Sequence, residues 1–214
     1  LSDVAVAFSG FNSNRGIVRV VSIATGTVLY TINGDFPAAY FGSSVRRLRD
    51  LDGDGVDELI VGAPTLSATP GFSSPDLPYV SVISGRTGML LYRFASGIGL
   101  TSMFGFSVDD AGDANNDGWN DIVVGDPEFY ANPFPGPRTS RVSVFSGQNG
   151  SVLRQIDGLS LSPVRYVGNS VMGLGDVSGD GYSDFVLTEE QSFAYLVYSG
   201  IAPGFLARVC VAGG

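Results

Sequence analysis

The sequence contains no lysine and no histidine, so all 12 of its basic residues are arginine. Without an imidazole or a lysine amine, histidine acid–base catalysis, Schiff-base chemistry and imidazole metal sites are excluded. Carboxylate chemistry remains open. The single cysteine, Cys210, excludes an internal disulfide and is expected to be a small buried hydrophobe. No run reaches the ~20 apolar residues that a membrane-spanning helix needs. The apolar tail from Ile201 to Gly214 is too short and is broken by Pro203 and Gly204. Charged residues make up only 15% of the chain, with a net charge of −9. That sign argues against nucleic acid as a partner, because phosphates would go unneutralised. It also raises the question of which cation the acidic groups hold.

What is present is a packed, turn-rich composition. Apolar residues make up 44% of the 214, with 30 glycines and 11 prolines between short Val/Ile-rich runs. This pattern predicts an all-β protein with a substantial core.

The runs repeat. The segments from Tyr40 to Pro64, Met103 to Pro127 and Tyr166 to Glu190 align without gaps, and their first loop aspartates, Asp50, Asp113 and Asp176, are 63 residues apart. A second shared segment begins at Val18, Val80 and Val142, with a shortened copy from Ala194. Each period reads as four strands. In the first full copy they are Ser44–Leu48, Glu58–Val61, Tyr79–Ile83 and Met89–Phe94, each supported by apolar alternation and β-branched residues. Four short antiparallel strands per repeat make a propeller blade. The expected fold is therefore a β-propeller of four-stranded antiparallel blades, about 3.75 of them in this chain. The expected boundaries are a partial blade over 1–34, then blades over 35–97, 98–158 and 159–214. Pro/Gly-rich insertions at Thr65–Pro78 and Glu128–Arg138 join the second strand to the third, where variable binding surface often lies.

The loop between the first and second strands carries the chemistry. The three copies are Asp50-x-Asp52-Gly-Asp54-Gly-Val56-Asp-Glu58, Asp113-x-Asn115-Asn-Asp117-Gly-Trp119-Asn-Asp121 and Asp176-x-Ser178-Gly-Asp180-Gly-Tyr182-Ser-Asp184. Side-chain oxygens at positions 1, 3, 5 and 9 form an all-oxygen donor set, which is what Ca²⁺ prefers. Position 7 offers its backbone carbonyl, so Val56, Trp119 and Tyr182 are free to differ. These are not EF-hands: position 12 is Val61, Val124 or Leu187 instead of a bidentate Glu. The bland alternative is a plain Asp/Gly hairpin turn, which one copy would fit and three copies in register do not. About three structural calcium ions are expected, held by ten of the 21 acidic residues. The first loop, with four carboxylates, is expected to bind most tightly. Asp109, by contrast, lies in a strand outside the donor set and is expected to matter less than Asp117.

The chain resembles the FG-GAP repeat family, the β-propellers of integrin alpha chains and of many bacterial surface and secreted proteins. Phe41-Gly42 with Gly62-Ala63-Pro64 matches the motif fully, Phe104-Gly105 with Gly125-Asp126-Pro127 differs at one residue, and the last copy is degenerate. The resemblance implies a non-catalytic, extracellular, calcium-stabilised module for adhesion, ligand binding or scaffolding. The alternative is a lectin-like or other ligand-binding propeller, with a protein or glycan as its ligand. Enzymatic use of the carboxylates in glycoside hydrolysis ranks below both, because the repeat accounts for them as ligands. The chain opens at a second strand and closes after a fourth, so it is expected to be completed by the rest of a longer propeller or by self-association. In the latter case a ring or filament follows.

Overall fold

The computed structural model describes residues 3–65, 77–95, 102–127, 140–158, 161, 167–189, 194–200 and 205–210. Among these residues fifteen strands and one short helix, α1 (Phe11–Asn14), are found, the strands forming four antiparallel sheets. The first sheet has three strands in the order β1 (Val4–Phe8), β2 (Ile17–Val21) and β3 (Val28–Asn33). The second is β4 (Ser44–Leu48), β5 (Glu58–Ala63), β6 (Tyr79–Ile83) and β7 (Leu90–Ala95). The third is β8 (Ser107–Gly112), β9 (Asp121–Asp126), β10 (Arg141–Phe145) and β11 (Val152–Asp157). The fourth is β12 (Val167–Gly175), β13 (Asp184–Glu189), β14 (Ala194–Ser199) and β15 (Phe205–Cys210). Each sheet is a meander in chain order, and together they are blades of a β-propeller.

The expected first and third strands of the first full repeat are found with their predicted bounds. The second runs on to Ala63, and the fourth starts at Leu90, one residue late. A register shift between Val82 and Ile83 causes the late start, and the other three sheets carry the same shift between their last two strands. Such a bulge adds a residue on one strand and sharpens the twist, which suits a blade. The insertions expected at Thr65–Pro78 and Glu128–Arg138 lie largely outside the described residues.

Three apolar clusters lie between successive sheets. Val18, Phe41, Val61 and Tyr79 fill the first gap, Ile60, Phe94, Phe104 and Phe145 the second, and Val123, Val167, Phe185 and Leu196 the third. Phe94 stacks on Phe145 with ring centroids 4.3 Å apart. Burial of each such side chain contributes about 1.5–3 kcal/mol. Phe41, Phe104 and Val167 occupy one repeat position, so the aromatic of the motif acts as packing between blades, as expected. Cys210 departs from expectation: it is exposed, on a strand whose six residues all face solvent.

The Gly residues of the motif form the seam. A Cβ on Gly62 would stand 2.0 Å from the carbonyl oxygen of Gly105 in the next blade, and one on Gly125 would stand 2.1 Å from that of Gly168. Ser44 and Ser107 donate to those same carbonyl oxygens across the seam, each at 2.8 Å.

A second set of ties runs along the outer strands. Tyr30 donates to the Gly85 carbonyl at 2.7 Å, and Tyr92 donates to that of Gln148 at 3.1 Å. Arg154 donates to the Ser199 and Gly200 carbonyls. These three side chains are 62 residues apart, and each reaches the turn of the following blade. The hairpin turns thereby become fixed points, and the metal-loop candidates sit directly against them.

Candidate metal centres

Each candidate loop runs from the end of the first strand of a blade to the start of the second. The position-1 carboxylate gathers the loop backbone. Asp50 accepts from the amides of Gly53 and Gly55, Asp113 from Asp117 and Gly118, and Asp176 from Gly179, Asp180 and Gly181. Position 5 turns one oxygen to the amide two residues on: Asp54 to Val56, Asp117 to Trp119 and Asp180 to Tyr182. Asp52 and Asn115, at position 3, do the same for Asp54 and Asp117. Position 6 is Gly55, Gly118 or Gly181, with φ of 85°, 90° and 90°, a conformation that side chains resist. The loop backbone is thus organised by the same carboxylates that are its candidate ligands.

Position 9 is the anchor. Glu58, Asp121 and Asp184 are fully buried, and each accepts from the position-2 amide: Leu51 at 3.0 Å, Ala114 at 2.9 Å and Val177 at 2.9 Å. Asp121 uses its second oxygen for the Gly147 amide at 3.0 Å. Glu58 is one methylene longer, and its Oε1 is buried with no hydrogen-bond partner. An unmet buried carboxylate oxygen is costly, and a cation is a partner that would meet it. Asp50, Asp52 and Glu58 each bring an oxygen within 4.8 Å of the others. Hard oxygens, convergence and an orphaned anionic oxygen fit Ca²⁺ chemistry.

The electrostatics agree. Glu58 is pushed up to about 7, first by burial and then by the Asp52 and Asp50 carboxylates. Asp121 is likewise pushed up to about 7 by burial, with Asp117 and Asp113 adding repulsion. A carboxyl group whose folded pKa lies above its unfolded value binds protons more tightly when folded, so its stabilisation is fully present at low pH and disappears as pH rises through the folded value. The melting temperature in calcium-free buffer is therefore expected to fall between about pH 4 and about pH 7. A calcium ion held by these groups would need them ionised, so in saturating calcium the direction is expected to reverse. Thermal scans across that range with and without calcium check this; parallel curves would contradict it.

Of the predicted site residues, the structure brings Asp50, Asp52 and Glu58 together most closely. The second and third loops repeat the backbone frame with Asn115 and Ser178 in place of the position-3 carboxylate. Trp119 and Tyr182 are half-buried, and Trp119 packs against the second core cluster. What the periodicity did not reveal is the role of Asp109. It is paired with Arg46 of the preceding blade at 3.6 Å and accepts from the Gly173 amide of the following blade at 3.1 Å. It bridges three blades from a strand position outside the loop.

The FG-GAP repeat family matches residues 41–73. Over 209 residues the chain is 30% identical to integrin alpha-5 of Xenopus laevis, covering 92% of this chain and 19% of that protein. It is 29% identical to integrin alpha-3 of Cricetulus griseus over 230 residues, covering 97% of this chain and 20% of the other. The chain thus spans about a fifth of these relatives. Among solved structures it superposes on the Dos1 propeller with a TM-score of 0.58 at 13% identity, covering 99% of this chain and 45% of that one. The rhamnogalacturonan lyase YesW gives a TM-score of 0.54 at 17% identity, covering 90% and 36%. At these identities the structural matches speak for the fold alone.

Proposed function

We propose that this chain, an FG-GAP repeat β-propeller, is a calcium-stabilised adhesive module that works outside the cell, with its loops presenting a surface to a protein ligand. The observation that carries the calcium reading is Glu58, whose buried Oε1 has no hydrogen-bond partner and whose carboxylate lies with an oxygen within 4.8 Å of those of Asp50 and Asp52. The integrin relatives carry the adhesive and extracellular part. No helix among the described residues is long and apolar enough to cross a membrane. The repeat spacing accounts for the ten loop acidic residues as metal ligands, so the reading is non-catalytic.

In this reading Asp50, Asp52, Asp54 and Glu58 hold the first ion, with the Val56 carbonyl. Asp113, Asn115, Asp117 and Asp121 hold the second with the Trp119 carbonyl, and Asp176, Ser178, Asp180 and Asp184 hold the third with that of Tyr182. The cation supplies the positive charge that lets clustered carboxylates stay ionised at neutral pH. Affinity is on the order of 0.1–1 mM, as for extracellular modules. Among the described residues the first sheet has three strands where the others have four.

Native mass spectrometry with calcium tests this through two substitutions. Asp117→Ala should reduce the bound ions from three to two. Asp109→Ala should leave three, yet melt earlier in calcium-free buffer, because it breaks the ties to Arg46 and Gly173. Equal ion counts in the two variants would defeat the assignment.

A further inference from the structure

We propose that Arg86 is a tethered competitor for the cation at the first loop, which makes the loop with most carboxylates weaker than its charge alone predicts. The proposal rests on the calcium reading above and concerns one side chain outside the ligand set.

The turn after β6 is seated on the loop. A Cβ on Gly85 would stand 1.9 Å from the Asp57 carbonyl oxygen, so the turn lies in close contact with the loop. This close approach places Arg86 beside Asp54. Its Nε lies 3.1 Å from Asp54 Oδ2, and its Nη2 donates to the Asp54 backbone carbonyl. Asp54 Oδ1 is already engaged by the Val56 amide. The guanidinium therefore holds the Asp54 oxygen that carries no amide hydrogen bond.

The other loops differ at this point. Arg86 corresponds to Gln148 in the third sheet's repeat and to Ile201 in the fourth's. Asp117 Oδ2 meets the Asn115 amide at 2.8 Å, and Asp180 Oδ2 meets the Ser199 hydroxyl at 2.6 Å. Those partners are neutral. Among the described residues, only the first of the three loops has a formal positive charge against position 5.

Two consequences follow for a divalent ion. To use Asp54 Oδ2 it must displace the guanidinium, and once bound it sits near a charge of its own sign. An exposed ion pair is worth up to about 1 kcal/mol, and repulsion by the guanidinium adds to it, so removing the charge should tighten the first site by about three- to ten-fold. Before the ion binds, the same contact partly neutralises four clustered carboxylates. Salt screens both effects.

The test is a calcium titration of the whole chain by NMR, reading the amides of Gly55, Gly118 and Gly181. Each sits at position 6 of its own loop, so each reports one site. In R86Q the Gly55 midpoint should move to about three- to ten-fold lower calcium, with those of Gly118 and Gly181 unchanged. In R86K, which keeps the charge, the Gly55 midpoint should stay near that of the parent chain. High salt should shrink the difference between R86Q and the parent. If Gly118 and Gly181 titrate and the Gly55 midpoint is the same or higher in R86Q, the proposal about Arg86 is wrong while the calcium reading stands. If none of the three glycines responds to calcium, both are wrong.

Discussion

Removing calcium with a chelator is expected to lower the melting temperature of this protein by about 10–30 °C relative to 10 mM calcium. A ligand bound only to the folded state stabilises it by mass action, about 1.4–2.7 kcal/mol per site at 10 to 100 times Kd. Three sites add, and in a domain of this size each kcal/mol moves the melting temperature by about 2–4 °C. The reason the effect is large lies in the loops. Ten carboxylates stand in three clusters on a chain with a net charge of −9. Glu58 and Asp121 are buried anions whose protonation is favoured in the absence of a cation. Without metal, the fold carries that repulsion and the unmet Oε1 of Glu58. A shift of less than a few degrees would contradict the structural role assigned to calcium.

The second large effect is expected at the seam between blades. Gly62→Ala should destabilise the protein by about 3 kcal/mol, about 6–12 °C in melting temperature, with or without calcium. Gly62 does not have a positive φ, so alanine is conformationally acceptable there and only the clash is tested. The obstacles are the Gly105 carbonyl oxygen at 2.0 Å and Ser44 Oγ at 2.3 Å. One is backbone, fixed by its own hydrogen bonds, so relief requires the blades to separate. Gly125→Ala meets the same geometry at Gly168 and Ser107 and should behave alike. Gly26→Ala is the control: Gly26 has a φ of 71° but open space around it, so it should cost only the ~1 kcal/mol of a left-handed residue. Comparable losses at Gly26 and Gly62 would show that the seam is not tight.

These glycines also show how far the sequence could be read. Their recurrence marked a blade unit, and the loop spacing marked a donor set. Both are local patterns repeated at one period, so they survive in a linear reading. Strands β4 and β6 were legible to the residue, because alternation and the flanking turns fix them. The start of β7 was not, since the bulge that delays it depends on hairpin twist, which has no residue signature here.

Contacts between blades were the main loss. Tyr30, Tyr92 and Arg154 share a repeat position but not a residue type, and only the stacking of sheets shows that all three reach the next turn. Asp109 looked idle because nothing near it in sequence explains it; its partners Arg46 and Gly173 lie about one repeat away on either side. Cys210 was expected inside because free thiols usually are, yet β15 is an outermost strand with all six residues exposed.

The most direct test of the calcium account is a crystal structure grown in calcium, with anomalous scattering used to place the ions. The account predicts one ion in each loop, ligated by Asp50, Asp52, Asp54 and Glu58 and by their counterparts, with Glu58 Oε1 on the metal. Loops that keep their shape in millimolar calcium with no anomalous peak at any of the three would contradict it.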